Sequence, residues 1–325
     1  MNQKASFINN LSLPAVAAPM FLISGPKLVI ECCKNGIVGT FPALNQRTSE
    51  GFEEWLIEIK SELKKFEEET GKKPAPFGVN LIVHPTNPRL EADVKLCIKH
   101  QVPLVITSLG AVSMVIDAIH SYGGLVFHDV IKKRHAEKAA GAGVDGLILV
   151  ATGAGGHAGT INPMSLVAEI KKFFDKTILL SGCISTGRDI ASAMQMGADL
   201  AYMGTRFINA DESKAPQEYK DMIIEAGASD VTYTASISGV HANFLAASLK
   251  AAGITEEDLK KDTKIDFGKE LDTEAKAWKT IWSAGQGVTS IKNTIPVAEL
   301  IGNLKAEFKI AIEEQCKLLS NYPKN

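Results

Sequence analysis

The loop "TGAGGHAG" (152–159) contains four glycines, two alanines and one large polar side chain, His157. It directly follows the apolar run "VDGLILV" (144–150). Glycines let a backbone lie close against a ligand, and an imidazole, with an ordinary pKa of about 6.5, can serve as base, acid or hydrogen-bond donor. The segment therefore predicts a ligand-binding loop with His157 as the candidate catalytic residue. A purely structural hydrogen bond from His157 is the alternative that the sequence leaves open.

Two further segments are poor in large side chains, "SGCISTG" (181–187) and "MGTRF" (203–207). Small residues that lead into a helix leave backbone N–H groups free, and together with the helix dipole these groups bind anions. We therefore expect a phosphate contact at Gly182, Gly204 and the Thr205 hydroxyl. A tight turn without a ligand is the alternative for either glycine taken alone.

Two other segments offer contacts to a flat ring. In "AAPM" (17–20) a proline follows small residues, which gives a rigid turn beside exposed backbone groups. Asn80, in "FGVNLIV" (77–83), carries an amide that can donate and accept toward the edge of a heterocycle. Bonding of this amide to loop backbone is an equal alternative. His84 and His128 also fall at or near predicted strand ends and are weaker candidates.

Short apolar runs alternate with helix-length segments up to about residue 210. Runs that are apolar along their whole length, rather than at alternate positions, predict parallel strands buried on both faces. Eight such runs favour an α/β fold of the (β/α)8 TIM barrel type over an open doubly wound sheet, and in such barrels the loops after the strands form the active site. The predicted strands are 14–19, 36–40, 76–83, 103–107, 124–129, 145–151, 177–182 and 200–205.

Helix boundaries are marked after two of these strands. Asn162 is a predicted N-cap with Pro163 at the first helical position, and another helix begins after Ser185 or Thr186 and ends at Gly197. Beyond residue 210 the alternation of strands and helices is lost. We expect three parts: a (β/α)8 barrel over 1–210, a smaller, mainly helical domain above the barrel mouth over 211–295, and a C-terminal helix packed back on the barrel over 296–325.

Composition excludes several classes of protein. The 325 residues are 45% hydrophobic and 22% charged, with a formal net charge of −2. This balance provides no basic surface, and no run reaches the roughly 20 apolar residues of a membrane helix, so we expect a cytoplasmic protein without nucleic-acid or membrane partners. Five cysteines without ligand-like spacing predict no metal site. The chain lacks H-E-x-x-H and G-x-S-x-G motifs, which argues against zinc and serine hydrolases.

Several segments together resemble the nitronate monooxygenases, formerly called 2-nitropropane dioxygenases. The similarity covers nearly the whole chain, and "GAGGHAG" combined with "YMGTRF" is specific. The segments are, in chain order, "AAPM", "FGVNLIVHPTNPRL", "AGVDGLILVATGAGGHAGTINPMSLVAEI", "SGCISTGRDIASAMQMGADLAYMGTRFINADES" and "WSAGQGV".

The resemblance implies an FMN-binding barrel that oxidises alkyl nitronates with O2 to carbonyl compounds and nitrite. It leaves open whether nitroalkanes are also oxidised and whether the protein is a homodimer. Carried over by position, His157 is the catalytic residue that positions or activates the substrate beside the flavin. The implied flavin contacts are Ala18, Pro19, Met20, Asn80, Gly155, Gly156, Gly182, Cys183, Met203, Gly204 and Thr205.

The chain departs from the family pattern in three places. Many members carry Gln-Gly-x-Glu before the A-G-G-H motif, where this chain has Val150 to Gly153, so the usual glutamine contact to the flavin is lost or replaced. Cys183 stands where a second glycine is common, and Tyr202 stands where a glutamine is common. These changes leave FMN binding expected and the substrate open.

Two other functions remain open from the sequence. An FMN-dependent NAD(P)H oxidoreductase, such as an enoyl-acyl-carrier-protein or quinone reductase, would share the G-G-H loop, and transient NADH binding needs no dinucleotide fingerprint. A flavin-free barrel, either an aldolase-like lyase or a metabolite-binding protein, is the second alternative. The lyase requires a Schiff-base lysine on a strand, and none of the predicted strands contains a lysine.

Overall fold

The structure is a computed structural model, and it describes residues 5–110, 113–237, 239–260, 281–319 and 321–322. Its strands are β1 (Ala15–Ala17), β2 (Val38–Pro42), β3 (Phe77–Ile82), β4 (Leu104–Ser108), β5 (Leu125–Val130), β6 (Gly146–Val150), β7 (Gly156–His157), β8 (Thr177–Ser181), β9 (Leu200–Met203), β10 (Val231–Thr234) and β11 (Ala242–Leu245). All except β7, β10 and β11 form a closed parallel barrel, in which β1 pairs with both β2 and β9. The predicted (β/α)8 barrel is therefore confirmed, and the predicted strand ends differ from the observed ones by at most two residues.

Helices follow the barrel strands and cover the outside of the barrel, and further helices come after the last of these strands. They are α1 (Pro26–Lys34), α2 (Ser49–Thr70), α3 (Leu90–Lys99), α4 (Ser113–His120), α5 (Lys133–Ala142), α6 (Pro163–Ile170), α7 (Gly187–Met196), α8 (Thr205–Ile208), α9 (Gln217–Glu225), α10 (Ala246–Ala251) and α11 (Val297–Leu319). Across the described segments, no helix is both long and apolar enough to span a membrane.

The predicted helix signals act as their chemistry requires. The Asn162 side chain accepts a hydrogen bond from the Met164 amide at the start of α6, and Thr186 and Asp189 form a reciprocal capping box at the start of α7. Gly197 ends α7 with a left-handed φ of 102°, a conformation that glycine adopts without strain. These caps fix where the loops after β6 and β8 end, and so they position the candidate site.

Apolar side chains fill the barrel in a central layer. Val16, Leu104, Ile106, Phe127 and Ile148 belong to one buried cluster inside the strands. The 3-10 helix Ser6–Asn10 lies against this cluster through Phe7, whose ring centroid is 6.3 Å from that of Phe127. Side chains therefore fill the interior, and in barrels of this type the loops at the carboxyl ends of the strands form the active site.

A small antiparallel sheet, β10-β11-β7, sits outside the barrel. In it, Ala242 pairs with His157 and Asn243 pairs with Gly156, so strand β11 binds the loop that follows β6 through backbone pairing. A mainly helical domain was predicted for 211–295, and strands β10 and β11 correct that prediction. Helices α9 and α10 also lie in this part of the chain.

Helix α11 packs against α7 and α1. A Cβ at Gly187 would lie 2.2 Å from the Leu304 carbonyl oxygen, so only glycine permits this close approach of α7 to α11. The Gly187 amide donates to Glu307 at 2.7 Å, and Arg188 pairs with Glu314 on the surface. The last helix thereby fixes the start of α7 and, with it, the loop after β8.

Candidate active site

A narrow cleft opens where the loops after β6, β8 and β9 meet the segment 284–287. Five of the predicted flavin contacts line it: Gly155, Gly182, Cys183, Gly204 and Thr205. The remaining cleft wall comes largely from backbone and small side chains of these loops, together with Gly285, Gly287 and Tyr202. The cleft thus presents many backbone amides and few bulky groups.

Three glycines allow the loop after β6 to pack directly on the segment 284–287. A Cβ at Gly285 would lie 2.5 Å from the Gly153 carbonyl oxygen and 2.7 Å from the Gly155 nitrogen, and both are backbone atoms. The Gln286 amide donates to the Gly153 carbonyl at 2.9 Å. No side chain fits at Gly285 without moving the loop that carries His157.

Two side chains from the small sheet hold the same loop from the other side. The Asn243 amide group donates to the Ala154 carbonyl at 2.7 Å, and the Tyr233 hydroxyl donates to the Ala158 carbonyl at 2.9 Å. Together with the pairing of His157 to Ala242 in the sheet, these bonds fix the backbone on both sides of the histidine. His157 is therefore carried on a rigid element although it lies in a glycine-rich loop.

The environment of His157 keeps its imidazole neutral. Burial lowers the pKa of His157 to about 4, because a charged ring would lose its hydration there. No hydrogen bond to the imidazole nitrogens of His157 is found among the residues described in the structure, so one ring N–H and one lone pair remain available to a ligand. The sequence left open both a charged and a neutral histidine, and the geometry favours the neutral form at pH 7.

The start of α7 is already occupied by carboxylates. The amides of Ser185 and Thr186 donate to Asp189 at 3.0 and 2.9 Å, and the next amide donates to Glu307. These three amides at the helix terminus are therefore not available to a phosphate, contrary to the expectation of free N–H groups there. The preceding loop offers an anion further donors.

That preceding loop does carry unused donors. Gly182 and Cys183 have left-handed φ values of 130° and 57°, and no hydrogen bond to their amides is found within the described ranges. The Ser185 hydroxyl is buried and has no hydrogen-bond partner there. A buried hydroxyl without a partner is unfavourable, so it indicates a missing ligand or water. Thr205 accepts a hydrogen bond from the Gly285 amide at 2.9 Å, which leaves its own hydroxyl hydrogen free to donate.

The predicted contacts on β1 and β9 lie side by side, because these two strands pair. The Ala18 amide donates to the Met203 carbonyl at 2.9 Å, and the position of a Cβ at Gly204 is 3.8 Å from both Ala18 and Met20. The Met203 side chain is buried in the core, so only its backbone faces this region. Pro19 lies between Ala18 and Met20 and keeps this turn rigid. Gly156 has open space around it, with no atom within 4 Å of a Cβ placed there.

Asn80 is buried on β3, and its amide nitrogen is fully used by the protein. It donates to the Ile106 carbonyl at 3.3 Å and to the Ser108 hydroxyl at 2.8 Å. The expectation that Asn80 both donates and accepts toward a ligand is therefore corrected, because only its carbonyl oxygen remains. His84 bonds instead to Thr86, and His128 bonds to Thr107 inside the protein.

Several residues of this region have roles that the sequence did not predict. Ser185 and Asp129 are ordinary polar residues whose role depends on what surrounds them. Asn243 and Tyr233 reach the loop only through strand pairing across a long stretch of chain. Gln286 lies beside Gly153, where a Cβ would be 2.9 Å from its side-chain oxygen. The glycines of "AGQG" (284–287) were the one available signal, since paired glycines indicate a close backbone approach.

Comparisons with known proteins agree with this fold. The family model described as nitronate monooxygenase matches residues 3–307. A nitronate monooxygenase of Paraburkholderia phytofirmans is 30% identical over 198 residues, which cover 56% of this chain and about half, 54%, of that relative. Among solved structures, a nitroalkane oxidase from Streptomyces ansochromogenes has a TM-score of 0.81 at 23% identity, over 95% of this chain and 100% of that one.

FabK from Thermotoga maritima has a TM-score of 0.76 at 23% identity, over 96% of this chain and 97% of that one. At such identities the two structures establish the shared barrel fold and do not distinguish between activities. The family model, by contrast, spans the barrel, the small sheet and the first 11 of the 23 residues of α11. The chain therefore belongs to the nitronate monooxygenase family of flavin oxidoreductases.

Proposed function

We propose that the protein binds FMN and oxidises alkyl nitronates with O2 to carbonyl compounds and nitrite. The observation that carries this proposal is the imidazole of His157, which is held on a strand two residues beyond the cleft-lining Gly155 and has no hydrogen-bond partner among the described residues. Burial, which lowers its pKa to about 4, favours the neutral form. Family membership supports the flavin. The choice of FMN over other flavins is supported by the donor set of the cleft.

The cleft fits a phosphate monoester. The amides of Gly182 and Cys183 and the hydroxyls of Ser185 and Thr205 would donate to its oxygens, and the buried Ser185 hydroxyl would gain the partner that it lacks. In barrels of this type, the loops after the seventh and eighth strands often bind phosphate. Here these strands are β8 and β9, and their loops supply all four groups.

The remaining predicted contacts would hold the flavin ring. Ala18, Pro19 and Met20 would provide a flat surface next to Gly204, and Gly155 and Gly156 would let backbone approach the ring. Asn80 would offer its oxygen to an N–H edge. When bound, the flavin supplies the redox chemistry, since it takes up electrons from the substrate and passes them to O2.

The low pKa of His157 defines its role. A neutral imidazole can donate one hydrogen bond to the oxygens of a nitronate, which is already an anion and needs no deprotonation. The same low pKa makes His157 a weak base toward the C–H of a neutral nitroalkane. We therefore propose that the preformed nitronate is the substrate and that the nitroalkane is a poor one.

The test begins with the absorption spectrum of the purified chain and identification of the released flavin. Oxygen consumption is then measured at pH 7 with propionate 3-nitronate and with freshly dissolved 3-nitropropionate, whose nitroalkane C–H is still protonated. We expect FMN in the protein and rapid consumption with the nitronate only. A colourless protein that takes up no FMN would contradict the proposal.

Anaerobic mixing separates this activity from that of an NAD(P)H-dependent reductase. Rapid bleaching of the flavin by nitronate, with little bleaching by NADH or NADPH, is the expected result. Bleaching by a nicotinamide cofactor, with none by nitronate, would identify a reductase and refute the nitronate assignment.

A further inference from the structure

A chain of polar side chains crosses the inner mouth of the barrel from β3 to β5. The Asn80 amide nitrogen donates to the Ser108 hydroxyl at 2.8 Å, and the Ser108 hydroxyl donates to a carboxylate oxygen of Asp129 at 2.5 Å. The proposed function uses Asn80 but neither Ser108 nor Asp129. The three residues belong to three successive strands of the barrel.

Strand alternation directs these side chains into the barrel. Val79 and Leu81 belong to the cluster between strands and helices, whereas Leu104, Ile106 and Phe127 belong to the cluster inside the barrel. Successive side chains of a strand point to opposite faces. Asn80, Ser108 and Asp129 therefore project inward, toward the carboxyl ends of their strands and above the layer that contains Ile106 and Phe127.

The direction of the hydrogen bonds fixes the orientation of the Asn80 amide. The Ile106 carbonyl can only accept, so the group of Asn80 that faces it must be the NH2. The Ser108 hydroxyl gives its single hydrogen to Asp129, so it must accept from Asn80. Both amide hydrogens are thus committed, and the carbonyl oxygen is the only atom of Asn80 left for a ligand.

Asp129 is itself held in place and is well suited to accept. The Leu109 amide also bonds to it, and Leu109 has a left-handed φ of 63°, an uncommon conformation for a leucine. Burial raises the pKa of Asp129 to about 6, while its hydrogen bond to Ser108 and the charge of His135 oppose that rise. Above pH 7 the group is a carboxylate, which accepts hydrogen bonds and cannot donate one.

We propose that Asp129 and Ser108 are positioning residues that hold the Asn80 carboxamide as an obligate acceptor for the N3–H group of the flavin ring. The oxidised isoalloxazine carries a single ring N–H, at N3, so an acceptor at this edge can pair only with that group. The inference rests on the proposed binding of FMN. It assigns a role to Ser108 and Asp129 through Asn80, without contact between either residue and the ring.

The test compares FMN with 3-methyl-FMN, in which a methyl group replaces the N3 hydrogen. The full chain is freed of flavin, and the dissociation constants of both compounds are measured at pH 8 by quenching of flavin fluorescence. We expect the wild-type protein to prefer FMN by about tenfold or more, the range of one hydrogen bond plus a steric clash. Asn80→Ala should bring the ratio close to one.

The variants Ser108→Ala and Asp129→Ala should lower the same ratio to about threefold or less, because the amide of Asn80 is then free to turn. Asp129→Asn retains an oxygen that accepts from Ser108 and should keep most of the preference. Ser121→Ala, at an exposed serine that bonds only to the nearby Ala118 carbonyl, is the matched control and should leave the ratio unchanged.

Three results would overturn the inference. The first is a wild-type protein that binds FMN and 3-methyl-FMN equally well. The second is a wild-type ratio of dissociation constants in Ser108→Ala and Asp129→Ala, while Asn80→Ala shows no preference. The third is a preference for FMN that falls equally in Asp129→Asn and Asp129→Ala. If Asp129→Ala fails to fold, Ser108→Ala and Asp129→Asn decide the question by the same ratio. A wild-type chain that binds neither compound would refute the proposed function itself, an outcome that is distinct from the other three.

Discussion

Gly285 is the position where a single methyl group most directly challenges the packing of the candidate site. In Gly285→Ala, the new Cβ would meet the Gly153 oxygen at 2.5 Å and the Gly155 nitrogen at 2.7 Å. Neither neighbour is a flexible side chain, so the two backbone segments must separate by several tenths of an ångström. The hydrogen bonds from Gly285 to Thr205 and from Gln286 to Gly153, both 2.9 Å, span this contact.

The expected effect follows from these contacts. Overpacking against fixed neighbours costs about 1–3 kcal/mol, and weakening two hydrogen bonds adds about 1 kcal/mol. We expect the free energy of unfolding of Gly285→Ala to fall by about 2–4 kcal/mol and its affinity for FMN to fall by about tenfold or more. Urea unfolding followed by circular dichroism and titration with FMN measure the two quantities.

Gly302 provides the matched control. It lies inside α11, and no atom is found within 4 Å of a Cβ placed there. Gly302→Ala should stabilise the protein by about 0.5–1 kcal/mol, because alanine favours the helix, and should leave FMN affinity unchanged. If Gly285→Ala unfolds at the wild-type urea concentration and binds FMN normally, the close packing of these loops does not support the site as described.

Two further predictions concern the phosphate end of the cleft and the protonation of a buried histidine. Ser185→Ala should leave the flavin-free protein at least as stable as the wild type, since no hydrogen-bond partner of the Ser185 hydroxyl is found among the described residues. The same substitution should weaken FMN binding by about tenfold. Equal FMN affinity of the variant and the wild type would argue against a phosphate at this hydroxyl. Burial lowers the pKa of His128 to about 4, so between this value and about 6.5 the unfolded chain binds more protons than the native one, and stability falls as pH falls. Urea titrations at pH 7 and pH 5 measure how much unfolding free energy each protein loses between the two pH values. The loss should be about 2 kcal/mol smaller in His128→Asn than in the wild type. Equal losses in the two proteins would contradict the low pKa of His128.

The barrel was predictable because its signals are local. Continuous apolar runs identify β2, β4 and β6, and Asn162, Pro163 and Gly197 mark helix ends within a few residues. By contrast, β10 and β11 are four residues each, and their partner β7 has only two residues. The pairing of β11 with β7 joins distant parts of the chain, so no local hydrophobic pattern predicts it.

At the site, residue positions were easier to predict than their chemistry. The sequence pointed to Asn80 but not to the Ile106 carbonyl and Ser108 hydroxyl that consume its donors. It also suggested free amides at the start of α7. Asp189 lies three residues after Thr186, a spacing that predicts a capping box. Glu307 lies 120 residues from Gly187, and no local pattern predicts that hydrogen bond.

The protonation state of His157 depends on burial, which no sequence pattern gives. A histidine in a glycine-rich loop looks exposed, and an ordinary pKa would make it partly charged near neutral pH. Pairing with β11 and the contacts from Asn243 and Tyr233 instead hold the loop so that His157 is half-buried. Burial lowers the pKa of His157 to about 4, and a neutral imidazole favours the proposed nitronate over the nitroalkane as substrate.

The central claim is that His157 acts on the substrate and not on the flavin, and one measurement tests it most directly. The His157→Asn variant is mixed anaerobically with propionate 3-nitronate in a stopped-flow instrument, and bleaching of its flavin is compared with that of the wild type. We expect the variant to retain FMN at the wild-type stoichiometry and its flavin to bleach at least about 100-fold more slowly. Bleaching at the wild-type rate would contradict the account.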